Sequence, residues 1–416
     1  MTSEITDRGS ASSYRWWMLF VICVVGFIIA GVAWNIMPVL FQEIAQPKEA
    51  GLGLSLVQLG TVWGILPLAL ALLGIVGGIA ADRYGVRWVI GLGTVLAAVA
   101  GACRGMSGGF FSLLGWMFLF GVAYSAIGPN IPKFIGTWFQ SKELGLANGI
   151  VFSAVGLGGG IAIHFGGSLF SPAVGGWRNA LYMIGIISLA AGILWITSVQ
   201  SPRTDASEAG KTKGKTVLLH GLLIGFKIKD VWLLVICQML FLGAWLGQLG
   251  YLPMYLVGKG MSKAVAYGYA SIASYFFMIG SMVVPLISDR IGTRKIVYVV
   301  TICLCGISFM LVPFVSGPAL GIALAAMGFC GGGYVIPRLI PIEHPRLGLA
   351  VAGSVFGFIS SMGFLGGFIS PMVGNALAAR VGGESALLLW ASFILIASFI
   401  FLFVTETHPK KAARKD

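Results

Sequence analysis

The chain reads as an all-α integral membrane protein, twelve transmembrane helices in two pseudo-symmetric six-helix halves. Three observations predict this. Of its 416 residues, 57% are apolar and only 10% charged, with a mean hydropathy of +0.93. That is too little charge to clothe a water-exposed surface of this length. Twelve apolar runs are each long enough to cross a bilayer, which takes about 20 residues. A short charged turn occurs twice, once in each half of an otherwise apolar chain.

The spans fall near 16–42, 55–80, 88–107, 110–137, 145–169 and 179–199 in the first half. They fall near 231–257, 265–288, 296–315, 318–340, 347–378 and 385–405 in the second. The first 15 residues are polar, and the first apolar run is too long for the apolar core of a cleaved signal. The 61 glycines suit helices that pack closely in lipid. The six cysteines lie in or at the edges of spans without a Cys-x-x-Cys pair or a cluster of histidines, so they read as small packing residues and no metal site is expected.

Between the halves, Ser201 to Thr216 is polar and rich in Ser, Thr, Lys and Gly, the composition of a flexible linker. Val217 to Lys229 has the pattern of a short helix lying on the membrane surface. The expected organisation is therefore an N-terminal half at 1–200, a linker with that interfacial helix at 201–229, and a C-terminal half at 230–416 ending in a short basic tail.

Charge gives the orientation. With both termini on one side, nineteen of the 27 Lys and Arg fall in the tails and the loops of that side. Only Lys48, Arg104, Arg178, Lys259, Lys263 and Arg380 fall on the other, and Lys133 and Arg338 lie inside spans. The positive-inside rule then places both termini in the cytoplasm, with the protein in the inner (plasma) membrane. The net charge of +13, including the Lys211, Lys213, Lys215 cluster and the tail after Thr407, is explained by topology and anionic lipid, with no nucleic-acid partner.

The first charged turn runs Gly-Ile-Ala-Ala-Asp-Arg-Tyr-Gly-Val-Arg over Gly78 to Arg87. The second runs Pro-Leu-Ile-Ser-Asp-Arg-Ile-Gly-Thr-Arg over Pro285 to Arg294, and Asp82 and Asp289 stand 207 positions apart. Ile131-Pro132-Lys133-Phe134-Ile135 matches Ile336-Pro337-Arg338-Leu339-Ile340, and Leu144-Gly145-Leu146-Ala147 matches Leu347-Gly348-Leu349-Ala350. Pro38 in span 1 recurs as Pro253 in span 7. Ordered matches at near-constant offset mark an internal repeat. Related halves of this kind are typical of carriers that rock one half against the other.

These residues resemble the Major Facilitator Superfamily. Its loop between helices 2 and 3 has the form G-x-x-x-D-R-x-G-R-[RK], met here by Gly78, Asp82, Arg83, Gly85 and Arg87, with Val86 where the family has a basic residue. The second copy supplies Asp289, Arg290, Gly292, Arg294 and Lys295, and Gly176-Trp177-Arg178 also resembles a family element. The region from Ile131 to Gly149 resembles anion:cation symporters and cyanate-permease-like carriers. The resemblance implies that helices 1, 4, 7 and 10 line a central path, and that Asp82, Arg83, Arg87, Asp289, Arg290 and Arg294 form a conformational latch. The alternative reading of the turns is a topological anchor, which needs no Asp.

Charge at membrane depth is costly and is usually functional or paired. Lys133 and Arg338, at equivalent places in the repeat, are therefore the candidate anion clamp, with a guanidinium suited to a carboxylate. Asn130 and Tyr334 share their helical faces by spacing. Asn35, Gln248 and Tyr251 complete the candidate substrate contacts, with Trp34, Tyr255 and Tyr275 near them. Two structural readings stand beside this one: the cations snorkel to the interface, or they bridge to Glu143 and Glu343.

No Asp or Glu lies near the middle of any span, which disfavours proton-driven export of cations. His164 is the candidate proton-coupling group, or else a packing histidine. No catalytic motif is present, no cofactor is expected and an enzyme is not. A sensor that moves no solute would usually carry a longer tail.

The expectation is a monomeric, proton-coupled carrier of a small monocarboxylate-like anion working by alternating access. Cyanate and nitrate are other candidate solutes. The alternative is an exporter of hydrophobic compounds in which Lys133 and Arg338 are structural.

Overall fold

The computed structural model describes residues 2–139, 141–199, 225–344, 347 and 349–407. The linker at Ser201–Thr216, the Lys211, Lys213, Lys215 cluster, most of the expected interfacial helix and the tail beyond Thr407 lie outside the described residues. Every regular element among the described residues is helical, and twelve helices are long and apolar enough to span a membrane.

In chain order these are α1 (Tyr14–Ile44), α2 (Leu56–Tyr84), α3 (Val86–Met106) and α4 (Phe110–Trp138), then α5 (Glu143–Ala173) and α6 (Trp177–Ser198). The second set is α7 (Lys229–Gly258), α8 (Lys263–Ile291), α9 (Arg294–Phe314) and α10 (Gly317–Glu343), then α11 (Ala352–Val381) and α12 (Gly383–Phe401). All twelve overlap the spans expected from sequence. The ends differ by a few residues because the helices continue past the apolar run, as α7 does at Lys229. The ends of the bundle are called terminal, where the chain termini and charged turns lie, and distal.

The packing repeats with the sequence. In the first half α1 packs on α5, α2 on α4 and α3 on α6; in the second α7 packs on α11, α8 on α10 and α9 on α12. The crossings need glycine at matching places. A Cβ on Gly77 of α2 would lie 2.1 Å from the Ser125 carbonyl oxygen of α4, and one on Gly280 of α8 would lie 2.0 Å from that of Phe329 on α10. Small residues let helix backbones approach this closely in lipid. At the charged turns Gly85 (φ +86) and Gly292 (φ +76) adopt a backbone that L side chains rarely take, which accounts for both glycines of the repeated motif. Leu72, Val76, Ile186, Ile322 and Phe399 remain exposed on the outside of the bundle, an apolar surface suited to acyl chains.

The halves meet along α2–α11 and α5–α8, and the distal part of α1 packs on α7. Their polar links gather toward the distal end. Trp63 Nε1 donates to the Leu246 carbonyl (2.7 Å), Tyr267 Oη to that of Val39 (3.0 Å), and Asn375 Nδ2 to that of Leu56 (2.9 Å). Lys263 lies 3.9 Å from Glu43. A contact nearer the terminal end joins Ser153 Oγ to Met282 Sδ (3.1 Å).

Four of the irregular helices bear on the site. α1 contains a π-helical segment at Gly26–Ala33, followed by Pro38, and α7 carries Pro253. α4 passes through a 3-10 turn at Gly128–Asn130, and α10 through a longer one at Gly332–Arg338 containing Pro337. Proline removes a helical donor and clashes with the preceding turn. The breaks in α4 and α10 therefore fall beside the two intramembrane cations.

Candidate functional site

The two cations have different surroundings. Lys133 is exposed and pairs with Asp82 of the first charged turn. Neither of the carboxylates considered for these cations from sequence is available to them. Glu143 accepts Arg15 Nη1 (2.7 Å), and Glu343 accepts Arg294 Nη2 (2.7 Å). The structural bridges expected from sequence are therefore made by other partners, because Arg15 and Arg294 lie closer to those acids in the fold. Lys133 and Arg338 do not form a matched clamp: one is neutralised by a carboxylate and the other is not.

Arg338 is half-buried and has no carboxylate at ion-pair distance among the described residues. Its Nη2 donates to Tyr334 Oη (2.9 Å), its guanidinium carbon lies 4.6 Å from the Tyr334 ring centroid, and its buried Nε has no hydrogen-bond partner. The Tyr334 ring stacks on Phe241 of α7 (4.8 Å) and approaches Phe277 of α8 (6.4 Å), which packs on Trp245 (4.3 Å). Across the halves, Tyr124 of α4 lies within electrostatic range of Arg338 and meets Trp34 of α1 edge-on (4.9 Å). A guanidinium with spare donors in a water-poor aromatic setting binds oxyanions strongly.

The other candidate contacts divide. Tyr334 meets Arg338 as its spacing implied. Asn130 does not meet Lys133; its Nδ2 donates to the carbonyls of Gly77 (3.0 Å) and Ala126 (2.9 Å), because the 3-10 turn rotates it toward α2. Asn35 Nδ2 donates to the carbonyls of Gly31 (2.9 Å) and Ala30 (3.2 Å), which satisfies oxygens in the π-helical segment. Gln248 is buried with an unpartnered Nε2, and Tyr251 is buried against Trp390 and Tyr255 toward the distal end. Tyr124, Phe241, Trp245 and Phe277 were not singled out from sequence. Periodicity cannot separate an aromatic facing the path from one facing a neighbouring helix.

His164 lies at the α5–α8 seam, beside an apolar cavity of about 330 Å³ that Tyr275 also lines. Its Nδ1 is 3.0 Å from Ser271 Oγ, whose own hydroxyl donates to the Gly268 carbonyl (2.7 Å). Ser271 Oγ thus links the His164 ring to the α8 backbone across the seam.

The charged turns are also wired differently. Arg87 Nη2 donates to the Ile196 carbonyl (2.8 Å) while Trp195 Nε1 donates to the Arg87 carbonyl (2.8 Å), which ties the turn to α6. Arg83 lies over Tyr84 (5.3 Å), and Arg290 is exposed. Arg294, the counterpart of Arg87, is buried and binds Asp289 (2.5 Å) and Glu343 together, while Glu406 accepts the backbone N–H of Arg294 (2.9 Å) and Lys295 (3.1 Å). Each of these bonds stays within its own half.

Among the described residues there is no group of His, Cys, Asp and Glu arranged to hold a metal. A family model described as Major Facilitator Superfamily matches residues 51–371. The chain is 26% identical to a probable nitrate/nitrite antiporter of Thermus thermophilus, covering 91% of this chain and 89% of the relative. It is 21% identical to a probable galactarate/D-glucarate transporter of Bacillus subtilis (strain 168), covering 96% and 93%. The fold is shared with a bacterial homolog of the human lysosomal transporter Spinster, at a TM-score of 0.75 and 17% identity over 94% of this chain and 97% of that one. With twelve spanning helices, a repeated charged turn and a family match over most of its length, this multi-pass membrane protein belongs to the Major Facilitator Superfamily.

Proposed function

We propose that the protein is a secondary transporter of a small monocarboxylate-like anion, driven by protons and working by alternating access, with Arg338 as the residue that holds the negative charge. One observation carries this reading: Arg338 is a charged group at membrane depth with open donors and no described carboxylate partner. An uncompensated cation there is costly unless something neutralises it in use. A single such cation balances a single negative charge, and a guanidinium binds a planar oxyanion through two parallel hydrogen bonds. The named solutes of both relatives, nitrate/nitrite and galactarate/D-glucarate, are oxyanions, which agrees with this chemistry.

Tyr334 orients the guanidinium, and Gln248 and Tyr251 offer polar contacts farther along the path. Lys133 serves the latch by holding Asp82 of the first turn in place within the N-terminal half. The polar links toward the distal end support a state closed on that face. The charge distribution supports placing the terminal face in the cytoplasm of an inner membrane. His164, at the α5–α8 seam, takes the coupling proton. Each chain holds both halves and works as a monomer.

The test is uptake into proteoliposomes of D-gluconate, D-glucarate and nitrate under an imposed pH gradient. Uptake of D-gluconate that is abolished by Arg338→Ala, and that loses its pH dependence in His164→Gln, is the expected result. Transport of lipophilic neutral compounds that is indifferent to Arg338→Ala would instead make the cation structural and the protein an exporter.

A further inference from the structure

A cavity of about 670 Å³ opens on the distal face, away from Arg338. The end of α7 lines it with Tyr251, Tyr255 and Lys259, the start of α12 with Gly383 and Glu384, and the start of α2 with Leu56. It therefore straddles the seam between the halves, where Asn375 holds the Leu56 carbonyl. Tyr251 lies three residues beyond the buried Gln248 on α7.

Its polar groups converge on one kind of ligand. Lys259 stands at its edge, 5.5 Å from the Tyr255 ring centroid, and pairs with Glu384. Both partners are close to half exposed (45% and 46%), so the pair is weak and easily exchanged. The Glu384 hydrogen bond keeps the Lys259 ammonium above the usual lysine range, so the cation persists through neutral pH. At the start of α12 the Ser385 N–H donates to the Gly382 carbonyl (3.1 Å), while the Gly383 and Glu384 N–H groups stand at the positive end of that helix. Gly383 lets both tyrosines close on the start of α12, because a Cβ there would sit 2.7 Å from Tyr251 Oη and 3.0 Å from the Tyr255 ring. Tyr255 is only 7% exposed, and its hydroxyl lies within reach of both the Lys259 ammonium and the Glu384 carboxylate. Glu384 is the carboxylate that now sits on Lys259.

We propose that this cavity is an anion-docking vestibule. A carboxylate-bearing solute displaces Glu384 from Lys259 and is held by Lys259, the Tyr255 hydroxyl and the first-turn amides of α12 before it moves on to Arg338. This rests on the reading of the protein as an anion transporter.

The test is calorimetric titration of D-gluconate into the full chain in phosphatidylcholine nanodiscs. Wild type is expected to show two classes of site. Arg338→Ala keeps only the vestibule class. Lys259→Gln and Tyr255→Phe each keep only the Arg338 class, and Glu384→Gln tightens the vestibule about tenfold by removing the competitor. Tyr255→Phe keeps the buried ring and loses only the hydroxyl, so a thermal midpoint without ligand that stays near wild type separates lost binding from lost folding. A single class that vanishes in Arg338→Ala and ignores Lys259→Gln and Tyr255→Phe overturns the vestibule and leaves Arg338 intact. Two classes that ignore Arg338→Ala while one is lost in Lys259→Gln support the vestibule and overturn the Arg338 site. No heat from any variant overturns both. Loss of the second class on adding phosphatidylglycerol would assign the cavity to a lipid headgroup and overturn a solute site.

Discussion

In the N-terminal half Lys133 is neutralised by Asp82, and Arg87 turns to the Ile196 carbonyl. In the C-terminal half Arg294, the counterpart of Arg87, takes Asp289 and Glu343, and Arg338, the counterpart of Lys133, keeps no described carboxylate. The difference traces to a single position of the repeat. Glu343 stands where the first half has Trp138. With an acid there, Arg294 is drawn inward and also holds Asp289, so Asp289 is not left to pair with the intramembrane cation as Asp82 is. Two copies of one turn thus support opposite roles for equivalent cations: a latch partner in one half and a ligand for substrate in the other.

The sharpest way to break this comparison is to remove the buried end of the second network. Arg294 is 7% exposed in its side chain, and Glu343 is 17% exposed. Arg294→Ala leaves the partly buried Glu343 carboxylate without its cation, and a loss of about 3 kcal/mol in unfolding stability is expected. A thermal or denaturant midpoint measures it, and a change below about 1 kcal/mol, the range of a surface pair, would mean that the two turns are energetically alike.

Tyr334→Phe should act on binding and spare the fold. It removes one hydrogen bond to Arg338 and keeps the ring against Phe241. The expected cost is about 0.5–1.5 kcal/mol in anion affinity, read by titration, with an unchanged melting midpoint. An unchanged affinity would detach Tyr334 from the site.

The smallest stability effect is expected at the first turn. Lys133 and Asp82 are 39% and 68% exposed in their side chains. Lys133→Gln and Asp82→Asn should each shift stability by no more than about 1 kcal/mol. Their effect should appear in the rate of transport, since the pair positions the first turn of the latch. Retained turnover in both variants would make the turn a topological anchor.

The sequence made much of this visible and hid one part. The spans were legible because water-avoiding helices must be long and apolar, and the repeat was legible because Gly85 and Gly292 meet a backbone requirement that few other residues satisfy. Ion-pair partners were hidden. Asp82 and Lys133 are 51 positions apart, Arg294 and Glu343 are 49 apart, and only the crossings at Gly77 and Gly280 bring such helices together. Asn130 was misdirected for a local reason. The prolines beside it signal a break in the helix but not the direction in which a 3-10 turn will point an amide. The aromatic surround of Arg338 drew on α4, α7 and α8 at once, and no single helix pattern contains it.

The most direct measurement is the thermal midpoint of the purified protein with and without D-gluconate, for wild type, Lys133→Ala and Arg338→Ala. A ligand that binds only the folded state raises the midpoint. The account predicts a rise in wild type that persists in Lys133→Ala and is lost in Arg338→Ala. A rise lost equally in both variants would restore a matched pair of cations, and one that persists in both would remove Arg338 from the site.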